Sequence, residues 1–281
     1  MSRSGTLREV DWAKEWLARK RAQDKVKGFN DGTSFWESHQ FVTRFSRMNT
    51  LDNREEIEGR LAPIDIRPGD KVLDIGAGPG TLAIPLAKRG CRVTAVEPSE
   101  AMRKAFLEHA IREEAPGITM VPHRWEDVTP AMLTPPYDVT IASFSLMMDD
   151  IIPEVLKMDQ VTSRSVYLFW FLTHPPHTRV LRDLWPNIHG CEYEFGPTAD
   201  VLWNALYQQG IYANLSVLSS RRHKPYPSLD DAVEDFTHRL HAGTPDHKEK
   251  IRGYLEEKLV PSGGGYDVPG DYRKAMIWWV K

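Results

Sequence analysis

Three glycines at alternate positions, Gly76, Gly78 and Gly80, follow the run Val72-Leu73-Asp74-Ile75. Between a strand and a helix, such glycines let the backbone turn tightly and let a ligand approach the main chain where a Cβ would intrude. Glu97 stands 21 residues beyond Gly76, after the apolar run Arg92 to Val96. A carboxylate at that strand end can accept both hydroxyls of a ribose, so turn and acid together specify an adenosine-type ligand. A dinucleotide fingerprint, G-x-G-x-x-G, needs glycine three residues after Gly78, but that position is Thr81 and the third glycine comes one residue early. The spacing therefore disfavours a nicotinamide dinucleotide. Asp74, two residues before the first glycine, is placed to orient the loop or to meet a ligand amine.

The elements that must position these residues alternate. Strands are expected at Lys71 to Ile75, Arg92 to Val96, Ile118 to His123, Tyr137 to Ser143 and Val166 to Leu172, with helices at Thr81 to Lys88, Glu100 to Glu114 and Ile151 to Met158 between them. Near-continuous apolar strands alternating with helices imply a parallel sheet covered on both faces, whose ligands gather at the carboxyl ends of the strands. Past the fifth strand the chain reads as irregular from His174-Pro175-Pro176-His177 to Gly196-Pro197. A helix (Ala199 to Gln209), a strand (Tyr212 to Ser219), two further helices opened by Ser228 and by Thr244-Pro245, and a last strand (Lys274 to Lys281) follow. Gly263-Gly264-Gly265 reads as a flexible loop.

The first 66 residues are expected to form a helical cap, 1–66, with the ligand-binding domain over 67–281 and insertions at about 173–200 and 227–272. In the cap, Val10, Ala13, Trp16 and Leu17 repeat at helical spacing, Ser34 offers a cap for a second helix carrying Phe35, Trp36, Phe41, Val42 and Phe45, and a third runs from Asn53 to Leu61.

The segment Val72 to Leu86, followed by Val96-Glu97-Pro98-Ser99, resembles the first two motifs of class I S-adenosylmethionine (SAM)-dependent methyltransferases. The order of elements is similar to that family from about residue 67 onward. The resemblance implies an α/β fold: a Rossmann-like seven-stranded sheet with helices on both faces, its last strand antiparallel beside the fifth. It implies SAM as cofactor, with Gly76, Gly78 and Gly80 against the methionine part, Asp74 nearby, Glu97 on the ribose, and Pro98 and Ser99 on the adenine side. Many relatives bind the adenine amine with an aspartate after the third strand. Arg124 falls there in an ungapped reading, so the role shifts to Glu126 or Asp127, with Trp125 beside the adenine. Ser143 ends the fourth strand and is expected near the sulfonium. Phe35, Trp36, His39 and Phe45 resemble the aromatic lid of small-molecule members, so Trp36 and His39 are candidates for the substrate pocket.

Methyl transfer is a direct displacement, and a general base is needed only where the acceptor must lose a proton. His174 and His177 are the candidates after the fifth strand, with Asp149, Asp150 and His123 as further ones. The turn N-P-P-Y of base and glutamine methyltransferases is replaced by Ala142-Ser143-Phe144-Ser145-Leu146, and the acidic pairs of magnesium-dependent relatives have no counterpart, so a metal-free mechanism is expected.

Thirty-six bases against 39 acids give a net charge of −3, which disfavours a nucleic-acid partner. Cys91 and Cys191 are too few for a structural zinc site, and no apolar run reaches the length of a membrane span. A cytoplasmic methyltransferase acting on a small molecule is the expectation, with protein side-chain methylation and a non-catalytic SAM-binding regulator as alternatives. Of nine tryptophans, Trp170, Trp278 and Trp279 fall in expected core strands, while Trp12, Trp16, Trp36, Trp125, Trp185 and Trp203 fall on the cap, cofactor edge or insertion side, where the acceptor is expected to be read.

Overall fold

Apolar runs bounded by glycine turns make strands here, and the amphipathic stretches between them make the helices that cover the sheet. The structure is a computed structural model in which residues 10–28, 34–50, 54–220 and 225–281 are described. In chain order the elements are α1 (Trp12–Lys27), α2 (His39–Thr50), α3 (Arg54–Leu61), β1 (Lys71–Ile75), α4 (Ala83–Lys88), β2 (Arg92–Val96) and α5 (Glu100–Arg112). There follow β3 (Ile118–Val121), β4 (Tyr137–Ser143), α6 (Ile151–Val161), β5 (Thr162–Phe171), α7 (Pro176–His189), α8 (Ala199–Gln208) and β6 (Asn214–Ser220). The chain ends with α9 (Leu229–Arg239), α10 (Pro245–Lys258), β7 (Val260–Ser262), β8 (Gly265–Asp267) and β9 (Tyr272–Val280).

Seven strands form one sheet in the order β3-β2-β1-β4-β5-β9-β6. The first five are parallel, and β9 enters antiparallel between β5 and β6. Leu73, Ile75, Ala142 and Leu168 point to one face, against Val155 of α6, Leu202 and Leu206 of α8 and Trp16 of α1. Val72, Val93, Val139 and Phe169 point to the other, against Ile57 and Leu61 of α3, Ile84 and Leu86 of α4 and Phe106 of α5. Burial on both faces explains why the strands read as unbroken apolar runs. Each fully buried aliphatic side chain contributes about 1.5–3 kcal/mol of transfer free energy.

A third apolar cluster joins the two segments expected as insertions. Val180, Leu181, Leu184 and Trp185 of α7 pack with Phe236 of α9 and with Ile251 and Leu255 of α10. The stretch expected to be irregular after the fifth strand therefore contains a helix, α7. Its prolines disguised it: Pro176 is in the first turn, where a missing N–H costs nothing, and Pro186 is in the last, before Gly190 closes the helix in the left-handed conformation. The glycine run is also ordered, as the turn joining β7 to β8. Residues Ser34–Glu37 form a 3₁₀ turn ahead of α2, whose first turn is met by the Ser38 hydroxyl, accepting from Phe41 N–H at 3.4 Å. The side chains of Ser34, Phe35 and His39 lie outside the described residues.

Among the described residues no helix is long and apolar enough to cross a membrane, and no group of three or more His, Cys, Asp or Glu is placed to hold a metal ion.

Candidate functional site

The carboxyl ends of β1, β2, β4 and β5 open into a cavity of about 470 Å³, in the size range of small-ligand pockets. Its floor is the loop between β1 and α4. Gly76 has φ of +68°, and a Cβ there would stand 2.2 Å from Ser145 Cβ, so only glycine lets the loop pass the turn after β4. That turn is pinned by the Ser145 hydroxyl, which donates to Ile75 O at 2.6 Å. Gly78 has φ of +54° with nothing within 4 Å of a built Cβ, so its backbone is open to the cavity. Gly80 turns away from the cavity and packs against Ile84.

Glu97 follows β2 and is buried. Its Oε2 accepts from Gly78 N–H at 2.8 Å and its Oε1 from Ser99 N–H at 2.9 Å, which ties the glycine loop to the start of α5. Burial pushes its pKa up, opposed by those two hydrogen bonds. Pro98 lines the cavity. Ser99 lies behind it: its hydroxyl caps α5 by accepting from Met102 N–H at 3.1 Å and donates to Trp36 O at 3.0 Å. Ser99 thus anchors the aromatic turn that carries Trp36, which does line the cavity.

Asp74 is 2% exposed, and its Oδ2 has no hydrogen-bond partner. Burial pushes its pKa up to about 7, with Arg60 opposing the shift and Glu97 adding to it. Arg60 comes from α3 and was not among the sequence candidates. Its Nη1 donates to Ser143 Oγ at 3.0 Å, its guanidinium lies 5.7 Å from the Phe144 ring centre, and its buried Nε has no partner. Nothing in the local sequence marks this arginine, since it belongs to an ordinary charged helix, REEIEGRL. Phe144 is the second residue missed. It adopts a left-handed conformation, φ 57°, unfavourable for an aromatic residue, where β4 ends in the cavity wall.

After β3, Arg124, Trp125 and Glu126 all line the cavity. Arg124 pairs with Glu126 at 2.8 Å. Trp125 is buried, donates from Nε1 to Glu154 O at 3.1 Å, and lies under Lys157, whose Nζ is 4.6 Å from the ring centre and donates to Trp125 O at 2.6 Å.

His174 and His177 line the far side. His174 stacks on Phe195 with ring centres 4.0 Å apart. His177 is pushed down to about 3 by burial, with Arg239 and Lys27 adding to the effect, and is neutral at pH 7. Asp149, Asp150 and His123 are exposed and do not line the cavity. Of the tryptophans only Trp36, Trp125 and Trp170 reach it. Trp12, Trp16 and Trp203 pack on the sheet and Trp185 in the core of the insertions, so most of the tryptophan expected at the acceptor builds the surrounding framework.

Residues 72–162 match the family described as a methyltransferase domain. A Haemophilus influenzae protein described only as uncharacterized is 28% identical over 78% of this chain and 79% of its own length. A 23S rRNA (uracil(1939)-C(5))-methyltransferase of Ralstonia nicotianae is 38% identical, but over 27% of this chain and 17% of that protein. Among solved structures, phosphoethanolamine N-methyltransferase 2 of Haemonchus contortus, bound to phosphomonomethylethanolamine and S-adenosylhomocysteine, has a TM-score of 0.55 at 14% identity, covering 90% of this chain and 61% of that one. Residues 72–162 are thus similar to a methyltransferase domain, and the fold, a seven-stranded sheet with an inserted antiparallel strand, is similar to that of this solved N-methyltransferase.

Proposed function

We propose that this protein transfers a methyl group from SAM to a small-molecule acceptor held between the glycine loop and the cap. One observation carries the reading: beside the glycine loop, a buried carboxylate oxygen of Asp74 and a buried nitrogen of Arg60 both lack partners. Such groups are costly unless something meets them. The ammonium and carboxylate of an amino-acid end fit this pair, the ammonium toward Asp74 and the carboxylate toward Arg60. Glu97 has one bond on each oxygen, which leaves a lone pair on each for two ribose hydroxyls. Trp125 and Pro98 offer apolar walls for a flat base.

When bound, SAM supplies a methyl group already activated on a sulfonium. The protein's part is alignment and the exclusion of water. Ser143, oriented by Arg60, stands at the end of β4 in the wall of this space. Of the two histidines that line the cavity, His174 is the one placed to take a proton from an acceptor that must lose one, since His177, pushed down to about 3, holds a proton too weakly for that. A small acceptor is favoured over a protein side chain because the cap, through Trp36 and Phe45, and the insertion, through Tyr193 and Phe195, wall the cavity on the side away from the strands.

Calorimetry with SAM, S-adenosylhomocysteine and NAD checks the cofactor. Both sulfur ligands bind and NAD does not; tight NAD binding with no response to either would sink the reading. Labelled SAM incubated with fractionated extract places label in the small-molecule fraction. Label confined to macromolecules would transfer the proposal to a protein or RNA acceptor.

A further inference from the structure

The run His174-Pro175-Pro176-His177 brings both of its imidazoles to the cavity wall. The two prolines between them stiffen the backbone: Pro175 has φ of −60° and Pro176 opens α7. The carbonyl of Pro175 accepts from Thr178 N–H at 3.0 Å and from Thr178 O–H at 2.6 Å, which ties this segment to the first turn of the helix. His174 is held by its face, with its ring plane 18° from that of Phe195. Among the described residues, no ring nitrogen of His174 or His177 has a hydrogen-bond partner. No third His, Cys, Asp or Glu among those residues joins the pair to make a metal site.

Polar atoms turned away from water in this way are costly unless a ligand meets them. His177 is neutral through burial, and its place in the first turn of α7 disfavours a cation further. It therefore offers one N–H and one lone pair. A hydroxyl both donates and accepts, so it meets whichever of the two faces the cavity. The surface around the imidazoles is aromatic. Phe195 stands edge-on to Tyr193 with ring centres 5.3 Å apart, and Trp170, 5.4 Å from Phe171, donates from Nε1 to Pro197 O at 2.8 Å; all of these residues line the cavity. Rings packed on such a wall gain about 2- to 12-fold in affinity beyond the area they bury. Of the cations on this side, Arg239 donates from Nε to Asp235 at 2.6 Å and Lys20 pairs with Asp24, so protein carboxylates already meet both.

Building on the methyltransferase reading, we infer that the acceptor is a hydroxylated aromatic molecule, its ring against Trp170 and Phe195 and a hydroxyl hydrogen-bonded to His177. The two histidines then divide their work. His177 reads the acceptor, and His174 is left to take a proton from it. An aliphatic alcohol loses the aromatic wall, and an unsubstituted ring leaves the His177 imidazole unmet.

The test uses the full chain saturated with S-adenosylhomocysteine, titrated calorimetrically with 2-naphthol, with 2-methylnaphthalene, which lacks the hydroxyl, and with decahydro-2-naphthol, which lacks the aromatic ring. 2-Naphthol binds about 3-fold or more tightly than either counterpart, the scale of one neutral hydrogen bond or one aromatic contact. His177→Phe removes the preference for 2-naphthol over 2-methylnaphthalene. His177→Gln, which can still donate and accept, keeps it. Both variants retain the preference over the saturated alcohol and bind S-adenosylhomocysteine within about twofold of the wild type, since the glycine loop is untouched. Equal binding of the three probes, no probe bound by a protein that binds S-adenosylhomocysteine, a hydroxyl preference that survives His177→Phe, or one that His177→Gln loses as well overturns the inference. Failure to bind S-adenosylhomocysteine is a separate result that overturns the cofactor reading, and the same titrations on the protein alone then decide whether His177 reads a hydroxyl.

Discussion

Asp74 is the residue on which the chemistry of the ligand converges, because its burial leaves a carboxylate poised near neutrality without a partner for one oxygen. A raised folded-state pKa has a definite sign. Protonated Asp74 is tolerated in the fold, so its contribution to stability is fully present at acid pH, below the ordinary carboxylate value, and is lost as pH rises toward and through about 7. Asp74→Asn is therefore expected to flatten the decline in melting temperature of the ligand-free protein between pH 5 and 8, in this range of about one to a few kcal/mol. Binding of an ammonium group runs the other way. It selects the ionised carboxylate, so affinity for S-adenosylhomocysteine rises as pH approaches 7 and levels off above it, with proton release measurable by calorimetry in buffers of differing ionisation enthalpy. An affinity independent of pH from 5 to 8 would show that no ligand cation meets Asp74.

At the scale of elements, the loop after β3 is held in part by one side chain of α6. Lys157 of α6 donates to Trp125 O at 2.6 Å and to Glu126 O and Val128 O at 3.4 Å each, while lying over the Trp125 ring. Lys157→Met is expected to destabilise the protein by about 1–3 kcal/mol, the cost of leaving buried carbonyls unmet, and to weaken SAM binding several-fold. Thermal unfolding and calorimetry read the two effects, and an unchanged SAM affinity would place the adenine elsewhere. Elements also divide what the sequence could tell. The sheet was legible because its strands are buried on both faces and its turns are marked by glycine, and Glu97 because its interval from Gly76 is fixed by one strand-helix-strand unit. Arg60 and Arg239 were not, because each belongs to a charged helix whose orientation over the site is decided by packing between elements far apart in sequence. Helix α7 was obscured by prolines that sit at its two ends, where a helix tolerates them.

Across the whole molecule, the half of the cavity formed by the strand ends and the half formed by the insertions rest on different cores. Phe236 is fully buried among α7, α9 and α10. Phe236→Ala is expected to cost about 3–5 kcal/mol within that cluster. Limited proteolysis should then cut within 173–200 or 227–272 first, while S-adenosylhomocysteine still binds with most of its wild-type affinity. Simultaneous loss of binding and of the insertions would mean that the two cores unfold as one.

The place of β9 sets the order of events during synthesis. Residues 272–280 leave the ribosome some fifty residues after β6, yet β6 meets the sheet only through them. Until they emerge, β5 presents an unpaired edge and β6 has no strand to join, so a nascent chain of this protein carries exposed strand edges until β9 has been made. Stalling or truncation within those residues is where misassembly of the chain should begin.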